Sequence, residues 1–392
     1  MDTDQLATLR SVEGARALAA ATEVADLDPL AAASALRSRE IASDLAAAAL
    51  TQAVLRRRAG TKFGADAAGM FFTRAGLEQA TRAEVAARRA ARLAASGART
   101  VADLGCGVGA DAIAFARAGL RVLAVDADPL TAAVASANLV ALGLADRATV
   151  TAADARDVAL DEVDAVFCDP ARRTATGRRV FDPTDYSPPW DFVAGLARRV
   201  PRTVLKLAPG IDHALIPDGA EAQWVSVQGE VVEAAFWCGP LAEVPRRATV
   251  LRGGQEHELT GSGEEQAPVG PVRRYLYDPD GAVVRAHLVA EFAATVRGTL
   301  ADPTIAYVYA DDPVPTPYGR CLEVLDALPF SVKRLRAALR ARGVGRVTIA
   351  KRGSAVDIER LRRDLKLVGA GELTVVLTRV AGAPTALLCT PA

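Results

Sequence analysis

Histidine and cysteine are scarce in this chain, and where they occur they are scattered. The five cysteines (Cys106, Cys168, Cys238, Cys321, Cys389) form no CxxC pair, and His213, His257 and His287 are equally isolated. A structural zinc site needs clustered ligands, so this spacing argues against a metal. An odd cysteine count without framework spacing fits a reducing compartment. Net charge is lacking too: 47 Lys and Arg balance 47 Asp and Glu. No whole-molecule field advertises a polyanionic partner, and any basic surface must be local. No run reaches the ~20 apolar residues of a membrane span. The start, Met1-Asp2-Thr3-Asp4, is acidic and has no apolar signal region. A soluble, cytoplasmic protein without a membrane partner is expected; composition says nothing of its oligomeric state.

What is present is an apolar half, 51% of 392 residues, enough for two or three domains with sizeable cores. Residues 1–95 carry apolar side chains at three- and four-residue steps, which predicts a helical domain. One helix opens at Asp28-Pro29, an N-cap followed by proline. Another spans Ala42 to Arg58 and breaks at Ala59-Gly60-Thr61-Lys62-Phe63-Gly64. Between 96 and 242 the pattern changes to short β-type runs alternating with helical ones. That alternation predicts a parallel sheet covered by helices. Its last two runs, Glu221–Val227 and Val231–Cys238, read as an antiparallel hairpin. Residues 243–302, rich in Gly, Glu and Pro at first, read as a short strand, a flexible linker and a connecting helix. Residues 303–392 read as an α+β domain.

The strongest motif is Asp103-Leu104-Gly105-Cys106-Gly107-Val108-Gly109, set between a strand and a helix. Its glycines allow a tight turn and close approach to a ligand, and the helix behind favours an anionic group. The spacing alone also fits a dinucleotide loop or a purely structural βα turn. Context separates these readings. Asp103 is an acid where dinucleotide folds usually carry an apolar residue. Asp126 ends the next strand, placed to accept ribose hydroxyls with either cofactor. Asp154 follows the third strand, where an acid can accept an adenine amine; otherwise it is a solvated turn residue. The fourth strand ends in Cys168-Asp169-Pro170-Ala171-Arg172-Arg173. Asp169 and Pro170 there can hold and orient a nucleophilic amine, or simply form a capped turn.

Together these residues resemble the class I S-adenosylmethionine-dependent methyltransferases, roughly from Thr100 to Gly239. The resemblance implies a Rossmann-like seven-stranded α/β domain and S-adenosyl-L-methionine as cofactor. It assigns cofactor binding to Asp103, Gly105, Gly107, Gly109, Asp126 and Asp154, and catalysis to Asp169 and Pro170. Asp169-Pro170-Ala171-Arg172 looks like the D/N-P-P-x motif of amine methylators. It departs where Ala171 replaces the second proline and Arg172 replaces an aromatic that often stacks on a flipped base. Phe71, Phe72, Phe181, Tyr186 and Trp190 are candidates for that stacking face. Lys62-Phe63, Phe71-Phe72-Thr73-Arg74 and Leu77-Glu78-Gln79-Ala80-Thr81 resemble the block before the catalytic domain in a bacterial methyltransferase family. Tyr318-Gly319-Arg320, Leu328-Pro329-Phe330, Lys351-Arg352-Gly353 and Leu377-Thr378-Arg379-Val380 resemble its C-terminal THUMP-like domain.

Between Arg320 and Lys366 stand thirteen Lys or Arg against five Asp or Glu. Lys333, Arg334, Arg336 and Arg340 share one helix; Arg360, Arg362, Arg363 and Lys366 share another. This concentration fits phosphate contacts with RNA, or else a solvated helix face. Arg172, Arg173, Arg178 and Arg179 form a second cluster beside the Asp-Pro, suited to gripping phosphate near a target base. Phe72, Arg172, Arg173, Tyr186 and Trp190 are therefore the candidate substrate-binding residues. The favoured expectation is methylation of a base nitrogen in RNA. Alternatives are a protein or small-molecule acceptor, or a noncatalytic RNA-binding protein with a retained cofactor pocket. A nicotinamide dehydrogenase comes last, since no convincing hydride-transfer dyad is present.

Overall fold

The computed structural model describes residues 1–171 and 186–392. The chain forms two compact units. Met1–Leu207 and Phe236–Ala242 make the first; Ala208–Ala235 and Glu243–Ala392 make the second. Contacts thus divide the chain differently from the four segments expected, because the N-terminal helices and the parallel strands share one compact unit.

The first unit opens with α1 (Thr3–Leu9), α2 (Val12–Val24), α3 (Pro29–Ser38), α4 (Ser43–Phe63), α5 (Arg74–Gln79) and α6 (Ala83–Ala95). Caps start several of them: Asp2 and Gln5 form a capping box on α1, and Asp28 accepts the Leu30 and Ala31 N–H groups ahead of α3. Helix α4 runs past the expected break to Phe63. Leu45, Ala49, Ala53, Ala59 and Phe63 are all buried along it, and this packing outweighs the weak propensity of Gly60. The helix stops at Gly64, whose φ is +57°.

There follow β1 (Thr100–Leu104), α7 (Ala110–Arg117), β2 (Arg121–Asp126), α8 (Pro129–Ala141), β3 (Ala148–Ala152), β4 (Ala165–Cys168), α9 (Trp190–Arg199) and β5 (Thr203–Leu207). These strands lie in the order β3-β2-β1-β4-β5, all parallel. β1 and β4 are buried at nearly every position, as expected of central parallel strands. The order reverses between β1 and β4. Ligands of open parallel sheets bind at such a switch, beyond the carboxyl ends of the strands. The Cys238 N–H donates to the Thr203 carbonyl at 2.9 Å, which sets the segment after β7 (Glu230–Trp237) beside β5.

In the second unit β7 neighbours β6 (Glu221–Val227), then β8 (Arg246–Arg252) and β9 (Gln255–Gly261). Only two residues, Gln228 and Gly229, join β6 to β7, both at positive φ, a connection that antiparallel strands alone permit. The stretch expected as a flexible linker begins with a second strand, β9, while residues 262–274 lie in no helix or strand. β8 and β9 pair antiparallel, closed by Gly253 and Gly254 at positive φ. Buried Arg247 in β8 is compensated by Glu221, Glu243 and Glu258. Then come β10 (Tyr275–Pro279), α10 (Gly281–Arg285), α11 (Val289–Thr295), β11 (Thr299–Leu300), β12 (Val308–Ala310) and β13 (Gly319–Pro329). The C-terminal elements are α12 (Val332–Ala341), β14 (Val344–Lys351), α13 (Ile358–Leu365), β15 (Gly371–Val380) and β16 (Ala383–Pro391). A seven-stranded sheet runs β11-β12-β10-β13-β16-β15-β14. Alternate residues of β15 and β16 serve two cores. Val375, Leu377 and Leu388 pack with Leu335, Leu339, Leu361 and Leu365 of α12 and α13. Val376, Leu387 and Cys389 pack with Leu276, Tyr307 and Tyr309.

Candidate functional site

The loop after β1 meets the end of β4 at the switch point. Leu104 is in register with Cys168, and the Asp169 N–H donates to the Leu104 carbonyl at 3.1 Å. A Cβ on Gly105 would lie 2.7 Å from the Asp169 carbonyl oxygen, and its φ is +89°. Only glycine fits there. Gly107 and Gly109 also have positive φ; the Cβ direction of Gly107 is open, so ligand atoms can approach its backbone. A cavity of about 260 Å³ lies over the loop. It is lined by Gly105 and Gly107, by Asp126 and Asp154, and by Asp169 and Pro170.

Asp126 holds the loop. Its two oxygens accept the N–H groups of Gly107 and Asp128, each at 3.0 Å. Burial pushes its carboxyl up, against the pull of those two donors. Each oxygen keeps acceptor capacity on the cavity side. Asp154 caps the turn at Ala155–Asp157 and is gripped by the Arg156 guanidinium at 3.0 and 2.7 Å, which lowers its carboxyl to about 2. Asp103 lies behind the loop, fully buried and not part of the cavity wall. Its oxygens have no hydrogen-bond partner among the described residues. Burial pushes its carboxyl well up, and the Asp111 and Asp169 charges add to that. Gly109 packs its Cα side on Ala135 of α8 and starts α7. It supports the loop rather than facing the cavity.

Sequence reasoning missed four supports. Lys206 of β5, buried, pairs with Asp169. Arg89 of α6 pairs with Asp111, whose other oxygen accepts the Thr81 hydroxyl at 2.7 Å. Asn138 of α8 accepts the Phe71 N–H at 2.7 Å and donates to the Phe71 and Val108 carbonyls at 3.1 and 2.9 Å, tying the N-terminal block to the glycine loop. Lys62 donates to the Leu77, Glu78 and Ala80 carbonyls at 2.8–2.9 Å and so caps α5. Through these ties Thr73, Gly76, Gln79 and Thr81 complete the cavity wall. The one signal available was a lysine inside the apolar strand Thr203-Val204-Leu205-Lys206-Leu207.

The stacking candidates stand elsewhere. Phe72 is fully buried, tilted against Phe63 at 5.5 Å, and Gln52 closes its backbone N–H and carbonyl. It is a core residue, which corrects its expected role at the substrate. Phe71 is buried too, with the Arg56 guanidinium over its ring. Tyr186 is buried, and Trp190 opens α9 half-buried; neither lines the cavity, although Ser187 and Pro188 do. Arg172, Arg173, Arg178, Arg179 and Phe181 lie outside the described residues.

Among the described residues Asp111, Asp126, Asp154 and Asp169 line the cavity and buried Asp103 lies behind it; Arg89, Arg156 and Lys206 pair with Asp111, Asp154 and Asp169. The thiols of Cys106 and Cys168 are pushed up by burial, so neither is an activated nucleophile. Among the described residues no cluster of His, Cys, Asp or Glu fits a metal.

In the second unit the basic helices behave unevenly. Arg336 donates to the Asp364 carbonyl, and Arg340 to that of Lys366 at 2.8 Å; both cap the end of α13. Lys333, Arg334 and Arg363 are exposed. A separate cavity lies at the carboxyl ends of β14 and β15, lined by Phe330, Gly353, Val356, Leu377 and Arg379.

Comparison with known proteins gives three domain matches: a methyltransferase domain over residues 101–177, a THUMP domain-like module over 319–391, and a domain of unknown function over 2–59. Two Mycobacterium tuberculosis proteins, from strains CDC 1551 and H37Rv, are named as uncharacterized S-adenosylmethionine-dependent methyltransferases. Each is 37% identical over 358 residues, covering 86% of this chain and 95% of the relative. A crystal structure from Porphyromonas gingivalis W83, provisionally named a methyltransferase, aligns with a TM-score of 0.73 at 23% identity. It covers 96% of this chain and 98% of that one, and so shares the fold.

Proposed function

The chain belongs to the S-adenosylmethionine-dependent methyltransferases, and from that premise we propose that it methylates a base nitrogen in RNA. When bound, S-adenosyl-L-methionine supplies an electrophilic methyl group on a sulfonium. The residues present fit that cofactor. The Gly105–Gly109 turn lets it approach the backbone, and the α7 end favours its carboxylate. Asp126 has acceptor capacity for the ribose hydroxyls, and Asp154, on the same cavity wall, would accept the adenine amine. Asp169 and Pro170 edge the same cavity. The Asp169 carboxylate accepts an N–H of the acceptor, orienting its lone pair and excluding water from it.

The observation that carries the RNA assignment is the exposed positive charge of α12 and α13 in a THUMP domain-like module. Lys333, Arg334 and Arg363 are the side chains best placed for phosphate. A protein or small-molecule acceptor is the second reading. It is favoured by the number of arginines already engaged: Arg342 with Asp326, Arg346 with Glu372, Arg352 with Asp278. The test is transfer from methyl-tritiated cofactor to total RNA, to total protein and to a small-molecule extract, by purified protein. Label in a base-methylated nucleoside after RNA digestion supports the proposal. Label confined to protein or extract overturns it.

A further inference from the structure

The ion pair between Lys206 and Asp169 sets a buried ammonium against a carboxylate at the cavity edge. β5 is buried at all five positions, and four of them are Thr, Val, Leu and Leu. A leucine would suit the fifth on grounds of burial alone. Instead Lys206, 5% exposed, brings an ammonium into the sheet, where an unpaired charge costs several kcal/mol. Cys168 is in register with Leu205, so Lys206 and Asp169 are the next residues on neighbouring strands. Its ammonium bonds the Asp169 carboxylate. Asp169 lines the cavity and Lys206 does not. Of the pair, only the carboxylate is placed to touch a ligand there. That carboxylate belongs to a group of acids close enough to act on one another, Asp103, Asp111, Asp126 and Asp169.

We propose that Lys206 is a positioning residue for methyl transfer: its ammonium fixes the Asp169 carboxylate and offsets its charge, leaving it to receive the acceptor's N–H instead of pairing with the cofactor's sulfonium. A bare carboxylate beside a sulfonium stabilises the bound reactant. Methyl transfer removes the positive charge from sulfur, so that stabilisation is lost at the transition state and slows the step. With the lysine in place, one carboxylate oxygen is occupied and the net charge at the cavity edge is near zero. The remaining acceptor capacity goes to a neutral donor. The free carboxylate oxygen accepts hydrogen bonds only, so the pair favours acceptors that present an N–H over those that present no donor.

The inference rests on the proposed transfer to an acceptor that presents an N–H, while its effect on the cofactor's charge is tested by binding alone. S-adenosylmethionine carries the sulfonium charge and S-adenosylhomocysteine does not. The ratio of their dissociation constants, measured by calorimetry on the full chain, reports the potential at that point. Lys206→Met should shift the ratio about fivefold or more in favour of S-adenosylmethionine, as one uncompensated charge at low effective dielectric requires. Lys206→Gln should shift it in the same direction, and serves should the methionine variant fold poorly. Asp169→Asn should move the ratio the opposite way. The double variant Lys206→Met/Asp169→Asn should return it near the parent value, and Lys206→Arg should hold it within about twofold. A lysine that merely supports the sheet predicts parallel weakening of both ligands. An unchanged ratio in both lysine variants, with circular dichroism showing intact fold, overturns the proposal.

Discussion

Two dense groups of charge stand in this molecule, and they are built on opposite principles. The carboxylates of the first unit are buried or half-buried and individually held: Asp126 by the Gly107 and Asp128 amides, Asp111 by Arg89 and Thr81, Asp169 by Lys206. The arginines of α12 and α13 are mostly on the surface; Arg336 and Arg340 cap α13, and the others have few and weak neighbours. Arg360 lies 3.8 Å from Asp364 and Arg362 3.6 Å from Glu359, contacts worth little in water. The first arrangement fixes the position of each held carboxylate, as chemistry needs. The second offers charge without geometry, as nonspecific phosphate binding needs. Density of charge in a sequence does not by itself tell these apart; burial does.

The comparison predicts that changes in the first unit act through position and are large. Asp169→Asn should lower turnover by about 10²–10³-fold, the usual loss on removing one preorganised polar group at the reacting atoms. The dissociation constant for S-adenosylhomocysteine should move little, because asparagine keeps an acceptor for Lys206. Single-turnover kinetics with labelled cofactor, beside calorimetry, checks both halves. Asp126→Ala is next. It removes charge-assisted bonds worth roughly 1.5–3 kcal/mol each and frees the Gly107 amide, so cofactor affinity should fall by tenfold to a hundredfold in the same calorimetric titration.

Changes in the second unit should be graded and sensitive to salt. Lys333→Glu with Arg334→Glu should weaken binding to RNA and flatten its salt dependence by roughly 0.7 log units per lost contact with single strands. The melting temperature should stay as it was. Arg336→Ala with Arg340→Ala should do the reverse, lowering the melting temperature by uncapping α13 with a smaller effect on the salt slope. Gel-shift titrations at several salt concentrations and a melting curve separate the two pairs. If both pairs behave alike, the contrast between capping and exposed arginines fails.

The smallest effect is expected at Asp103. Its folded-state carboxyl is raised by burial and by neighbouring acids, while in an unfolded chain it titrates near about 3.9. A raised acid favours the folded state most when protonated, below that unfolded value, and the advantage is lost as pH rises through the folded value. Asp103→Asn should therefore lessen the fall in stability with rising pH in the protein free of cofactor. Urea denaturation from pH 5 to 8 measures it, and a steeper fall in the variant would contradict the assignment.

The glycine loop, Asp126, Asp154 and Asp169 were legible in the sequence because each stands at a fixed step from a strand end, and the strands alternate with helices as regularly as the fold requires. Their supports were not. Lys206 reaches Asp169 across 37 residues, Asn138 reaches Phe71 across 67, and Arg89 reaches Asp111 across 22; no local pattern marks such partners. The stacking role expected of Phe72 failed for a related reason. An aromatic pair at the mouth of a catalytic domain reads the same whether it faces a base or, as here, closes a core with Phe63 and Gln52. The glycine- and glutamate-rich stretch within residues 243–302 read as a flexible linker, yet Gly253 and Gly254 close the turn between the paired strands β8 and β9.

Methylation of an RNA base, if the proposed function holds, depends on Asp169. The most direct measurement is mass spectrometry of nucleosides in RNA from cells lacking the gene, complemented with the parent protein or with Asp169→Asn. One base-methylated nucleoside should be missing without the gene, return with the parent and stay missing with the variant. Identical nucleoside profiles in all three strains would contradict the claim.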